Sequence, residues 1–142
     1  MKLLSFVIPA KNEEDSITPL YQEIKKVLAT IKFPYEIIFV DDGSTDNTFT
    51  QMHKIRKRDK KVKIIRFRGN WGKSAALQVG FDHSKGNVVV TMDADLQDNP
   101  QDLPKFLAKL EEGYDLVSGW KKKRNDPQVQ KVLPSRLINL LT

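Results

Sequence analysis

Short apolar runs alternate along this chain with amphipathic stripes of helical period, and that alternation limits the fold more than any other feature. Leu3 to Ile8 reads as a first strand, stopped by Pro9. Glu36 to Val40, Val62 to Phe67, Val88 to Met92 and Tyr114 to Ser118 read as four more. Between the first two, Ile17, Leu20, Tyr21, Ile24, Val27, Leu28 and Ile31 recur at helical spacing, with Asp15 or Ser16 placed to cap them. Phe49, Met52 and Ile55 mark a second helix. Gly72 to His83 marks a third, with Ala75, Ala76 and Val79 inward. Leu103, Phe106, Leu107 and Leu110 mark a fourth, ahead of the helix-ending Gly113. Strands that are apolar on both faces belong to buried parallel sheets. The expectation is one α/β domain, with a mostly parallel sheet of five strands flanked by four helices. Right-handed crossovers then gather the strand C-termini on one edge, where such folds bind their ligands.

At 142 residues the chain suits one domain with a real core, and it carries no cysteine, so disulfides and zinc–thiolate sites are excluded. No apolar run approaches the roughly 20 residues of a membrane helix. Against 18 acidic residues stand 24 basic ones, a net charge of +6 that favours anionic partners. One basic cluster, Lys54 to Lys63, reads as the solvated face and exit of the second helix. A second, Lys121 to Arg124, follows the fifth strand. The terminal run Leu137 to Thr142 is apolar and carries no helix stop, so the chain reads as the N-terminal part of a longer domain.

The acidic residues follow the edge rule. Asp41 and Asp42 end the second strand, Asp93 and Asp95 end the fourth, and Glu13 follows the first. If Met92-Asp93-Ala94-Asp95 continues extended, Asp93 and Asp95 point to one spot. Paired carboxylates there suit a hard divalent cation, Mg²⁺ or Mn²⁺, that keeps positions open for phosphate oxygens. Gln97 offers a further neutral oxygen. A carboxylate such as Asp42 or Asp41 supplies the acceptor that the imide N–H of a nucleobase needs. Asn12 and Glu13 face a ribose or base, and Gly72 and Lys73 open a helix whose amides and ammonium suit a diphosphate. Trp71 and Trp120 serve either as stacking surfaces or as core, and His53 and His83 as structural residues.

Two rival readings fail on spacing, and two others fit less well. Gly72-Lys73-Ser74 ends like a phosphate loop, but that motif needs a glycine where Phe67 stands. The turn after the first strand, Pro9-Ala10-Lys11-Asn12-Glu13, lacks the glycines of a dinucleotide fingerprint. An aspartyl phosphatase normally places its Asp-x-Asp after the first strand, which makes it a weaker alternative without excluding it. A nucleic-acid-binding module explains the basic clusters but leaves four acidic edge residues that would repel phosphate.

Four blocks, Phe6 to Glu14, Val40 to Asp46, Asn70 to Ala75 and Met92 to Asp95, come in the order and spacing of a known family. The chain resembles the inverting nucleotide-sugar glycosyltransferases of family 2, with their Rossmann-like GT-A fold. Asp95 to Pro100 and Gly113 to Gly119 resemble the polyprenyl-phosphate branch, which includes dolichol-phosphate mannosyltransferase. The resemblance implies a GT-A domain over residues 1–142, truncated on its C-terminal, acceptor side. It implies transfer of a sugar from a UDP- or GDP-linked donor to undecaprenyl or dolichyl phosphate at the cytoplasmic face of a membrane. Pro9, Ala10, Glu13, Val40 and Asp42 would line the nucleoside pocket, with Asn12, Asp41, Gly72, Lys73 and Ala94 completing the donor site. Asp93, Asp95 and Gln97 would hold the metal. Asp95 and Lys121 would act on the leaving diphosphate, Lys121 standing where the branch often has arginine. Arg124, Lys131, Ser135 and Arg136 would meet the acceptor phosphate. Lys11 departs from the family, which commonly has an aromatic residue there. The alternative within the family is a transferase acting on a saccharide or cell-surface polymer, which needs a general base that a lipid phosphate does not.

Overall fold

A computed structural model of the chain describes residues 2–119 and 137–139. Six strands form one sheet: β1 (Leu4–Ala10), β2 (Tyr35–Asp41), β3 (Val62–Arg66), β4 (Val88–Thr91), β5 (Leu116–Ser118) and β6 (Leu137–Asn139). Four helices join them: α1 (Ile17–Ile31), α2 (Thr48–Arg58), α3 (Lys73–His83) and α4 (Leu103–Glu111), the last preceded by a 3₁₀ turn at Pro100–Asp102. The spatial order is β3-β2-β1-β4-β6-β5, and every pairing is parallel.

The sequence pattern predicts five strands, and the sixth is the difference. β6 comes from the terminal apolar run and lies between β4 and β5. Three residues carry no periodicity of their own, so only their partners, some fifty and twenty positions earlier, identify them as a strand. β4 stops at Thr91, one residue short of the expected Met92, and β5 starts at Leu116 rather than Tyr114.

Period-two alternation sorts the sheet residues into two cores. Leu4, Phe6, Ile8, Ile37 and Phe39 pack with the apolar stripe of α1, with Met52 and Ile55 of α2 and with Leu103 of α4. Val7, Ile38 and Val40 pack on the other face with Ala76 of α3. That second layer is tight: a Cβ at Gly80 would stand 2.3 Å from Val7 Cγ1, so only glycine lets α3 lie this close to β1. Ser16 occupies the N-cap position of α1 but caps no amide. Its hydroxyl donates instead to the Glu13 carboxylate (2.8 Å) and the Glu13 carbonyl (3.2 Å).

The basic segment 54–63 is a solvated helix face and exit, with Arg56, Lys57 and Arg58 in the last turn of α2, where the helix dipole favours them. Asp59 anchors it by accepting the Tyr21 and Tyr35 hydroxyls at 2.8 and 2.7 Å. Burial pushes the Asp59 carboxyl up, but those hydroxyls, the Lys61 amide and the charge of Lys25 outweigh it and hold it below its ordinary value.

At the sheet edge where the strands begin, Glu36 is buried. It takes the Lys63 ammonium at 2.8 Å, the Lys85 amide at 2.6 Å and the Ser5 hydroxyl, joining β1, β2, β3 and the α3–β4 turn. Desolvation raises its carboxyl, and these donors outweigh that and lower it below the ordinary 4.5. Its contribution to stability is therefore complete above about pH 4.5 and is lost as pH falls through the folded-state value. Glu36→Ala should cost about 1–3 kcal/mol at neutral pH. Denaturant titrations should show the gap between variant and parent closing as the pH is taken below 4.5.

Candidate functional site

Three adjacent strands, β2, β1 and β4, end at the same edge, and an open cleft of about 240 Å³ lies there. The end of β1 and the turn after it supply Pro9, Ala10, Lys11 and Glu13 to its wall. Asp42 comes from the end of β2, Lys73 from the start of α3, and Asp93, Ala94 and Asp95 from the segment after β4. The acidic residues thus converge with two lysines, Lys11 and Lys73, as the parallel topology requires.

The reason for the convergence differs from the one the alternation predicts. β4 ends at Thr91, and Ala94 and Asp95 lie in a turn, so Asp93 and Asp95 are not successive same-face residues of a strand. The turn itself brings them to one cleft. Leu96 has φ +66°, and Asp95 Oδ1 accepts the Gln97 amide at 3.1 Å. The Asp93 amide donates to the buried carboxylate of Asp98 at 3.0 Å, which fixes where the turn leaves the sheet. Gln97 is exposed and lies outside the cleft wall.

The two aspartates that follow Val40 have different surroundings. Asp42 accepts the Trp71 amide at 2.7 Å and the Gly72 amide at 3.1 Å, binding the end of β2 to the start of α3. Asp41 is wholly buried outside the cleft wall. Its Oδ1 accepts the Ser44 amide at 2.9 Å. Its Oδ2 accepts no hydrogen bond, and Arg66 Nε stands 3.7 Å away. Val40 is core. Gly72 is the N-cap residue of α3, at φ +100°. Lys73 reaches across the cleft to Asp93 Oδ1 at 2.6 Å.

Asn12 lies outside the cleft wall and acts as a brace. Its side-chain Oδ1 accepts the Thr45 amide at 2.8 Å, and its backbone amide donates to Ser44 Oγ at 2.9 Å. Nearby, the Glu13 amide donates to Thr48 Oγ1 and the Glu14 carboxylate accepts the Asn47 amide, so the turns after β1 and β2 are laced together. Asp98 and Thr48 are supporting residues to which the sequence assigns no role, although Asp98 lies inside the Asp95–Pro100 run. The signal for Asp98 was its place just before Asn99-Pro100, where a helix begins. Trp71 is 65% exposed and stacks on Phe67 at 5.0 Å, so it is not core. His53 and His83 are exposed on α2 and α3, the first against Phe49, the second with Nδ1 on the Val79 carbonyl. Trp120, Lys121, Arg124, Lys131, Ser135 and Arg136 lie outside the described residues.

Comparisons with known proteins agree with this architecture. The family model described as glycosyl transferase family 2 matches residues 5–141. The dodecaprenyl-phosphate galacturonate synthase of Rhizobium johnstonii is 37% identical over 97% of this chain and 41% of its own length. The undecaprenyl-phosphate 4-deoxy-4-formamido-L-arabinose transferase of Pseudomonas fluorescens is 37% identical over 99% of this chain and 41% of its own. The chain therefore spans about two fifths of the length of these curated relatives. Among solved structures, S. aureus TarS in complex with UDP superposes with a TM-score of 0.67 and 30% identity, covering 90% of this chain and 38% of that one. The mannosyltransferase PcManGT of Pyrobaculum calidifontis, solved with GDP-Man and Mn²⁺, shares the fold at a TM-score of 0.73 and 22% identity, covering 86% and 36%. The fold is that of the GT-A glycosyltransferases.

The turn that presents Asp42 depends on Gly43. That residue has φ +72°, and a Cβ there would stand 2.5 Å from the Gly69 carbonyl carbon. Gly43→Ala combines left-handed strain with a backbone clash and should cost about 2–4 kcal/mol. Chemical unfolding of parent and variant measures it directly.

Proposed function

The chain belongs to glycosyl transferase family 2, and from that premise we propose that it moves a sugar from a nucleoside diphosphate to a polyprenyl phosphate with inversion. The observation that carries this reading is the convergence of Asp42, Lys73, Asp93 and Asp95 with the end of β1 in one cleft at the sheet's ligand-binding edge. The two relatives named above support the acceptor class, since both are named for polyprenyl phosphates. TarS, solved with UDP, supports a nucleotide in this cleft.

In this reading the nucleoside lies over Pro9, Ala10 and Glu13. Asp42, the one of the two aspartates that lines the cleft, is the candidate acceptor for the ring N–H of a uracil or guanine base. The diphosphate lies toward Lys73 and the start of α3. The donor set fits a hard divalent cation, because Asp93 and Asp95 are oxygen ligands on one cleft. Among the described residues no three such side chains are placed to hold one ion, so phosphate oxygens and water would have to complete its shell, as is usual for Mg²⁺. When bound, the cation stabilises negative charge on the leaving diphosphate.

The reaction itself is a displacement. An oxygen of the acceptor phosphate attacks the anomeric carbon, the bond from that carbon to the diphosphate breaks, and the nucleoside diphosphate leaves. A phosphate monoester is already ionised near neutral pH, so no protein base is required at the acceptor. The basic residues after Gly119, Lys121, Arg124, Lys131 and Arg136, together with Ser135, suit that phosphate by charge and hydrogen bonding. A lipid acceptor places the reaction at a membrane surface, with the nucleotide-sugar reached from the cytoplasm. Among the described residues no helix is long and apolar enough to cross a membrane.

The test is transfer by the full-length protein from labelled UDP- and GDP-sugars to undecaprenyl phosphate in detergent. The expected product is label that partitions into organic solvent. Asp95→Ala should lower the rate on the order of 10²-fold or more. Label appearing only on soluble saccharide acceptors, or an Asp95→Ala variant as active as its parent, contradicts the reading.

A further inference from the structure

The closest charge contact in the cleft joins Lys73 to Asp93, 2.6 Å apart, with their side chains 50% and 35% exposed. Both ends of this bridge are set from behind by buried carboxylates. Asp42 takes the Trp71 and Gly72 amides and so fixes the start of α3, from which Lys73 projects. Asp98 takes the Asp93 amide and fixes the other end. The backbone positions are therefore held, while the pair between them is accessible and one member sits on a flexible four-carbon stem.

Asp93 and Asp95 share a cleft that also receives Asp42. Carboxylates gathered this way repel unless positive charge lies among them; Lys11 and Lys73 both line the cleft, and the Lys73 ammonium is the one paired with Asp93. It is paired with Oδ1 of Asp93, one of the carboxylates that would hold a divalent cation. We propose that Lys73 is a built-in counter-ion: it holds Asp93 until a divalent cation displaces it, and the released ammonium is then taken by the diphosphate. The inference rests on the reading that Asp93 and Asp95 hold the metal.

Coupling between the two ligands follows. A cation binding alone must break the Lys73–Asp93 pair without replacing it. A cation binding with a diphosphate loses nothing, because the ammonium gains a new anionic partner. Each ligand therefore tightens the other by the same factor. Removing the ammonium should help the cation when it binds alone and weaken the coupling.

The experiment is titration of the purified protein with Mn²⁺, reading free Mn²⁺ by its paramagnetic resonance signal, with and without UDP or GDP. Lys73→Met should bind Mn²⁺ alone about two- to fivefold more tightly than the parent, and added nucleotide should tighten it by a smaller factor. Lys73→Arg keeps a cation at the position and should behave like the parent. Native circular dichroism of each variant shows that the fold is intact, and Lys73→Gln serves in place of methionine if that variant fails to fold. Unchanged or weaker Mn²⁺ binding by the neutral variant, with Asp95→Ala abolishing binding, overturns the counter-ion role while leaving the metal site standing. Equal Mn²⁺ binding by parent and Asp95→Ala, or none by any form with either nucleotide, overturns the metal reading and this inference with it.

Discussion

The site depends on one buried carboxylate. Asp42 ends β2 and accepts two consecutive amides at the start of α3, so a strand end and a helix start are held as one unit. An unpaired buried carboxylate is costly, and amide donors at a helix N-terminus are an inexpensive way to satisfy it. The consequence is positional. Lys73 is carried to the wall of the cleft, opposite the turn that follows β4. The same device recurs on that side, where Asp98 holds the Asp93 amide. Buried acids thus place the half-exposed groups that form the candidate chemistry.

The two edges of the sheet divide the work. Where the strands begin, Glu36 collects a lysine, a serine and a backbone amide into a closed network. Where they end, the polar groups are arranged around open space. Parallel pairing makes this division possible, since it sends every strand toward the same edge. The turns after β1 and β2 are braced by hydrogen bonds between them, so the cleft wall stands on ordered loops.

Much of this was legible in the sequence because it is periodic. The apolar strands, the stripes of α1 and α4 and the common edge all follow from spacing alone. Chemistry-bearing residues at strand ends were legible for the same reason, since Asp42, Asp93 and Asp95 each follow an apolar run. β6 was not legible, because a three-residue strand is defined only by distant partners. The mutual aim of Asp93 and Asp95 was expected from an extended backbone and is set instead by a turn with Leu96 in the left-handed region. Asn12 shows the converse. Its position suggested a ligand contact, and the structure uses it to bridge two loops. Sequence position marks the neighbourhood of a site, whereas hydrogen-bond accounting decides which polar groups remain available to a ligand.

The central claim is that the cleft is a cation-dependent site for a nucleoside diphosphate. Calorimetric titration of the folded protein with UDP and with GDP, in Mn²⁺ and again in chelator, tests it most directly. The account predicts saturable binding of one of these nucleotides in Mn²⁺ and a large loss of affinity in chelator. Absence of binding by the folded full-length protein in Mn²⁺, or equal affinity in chelator, contradicts it.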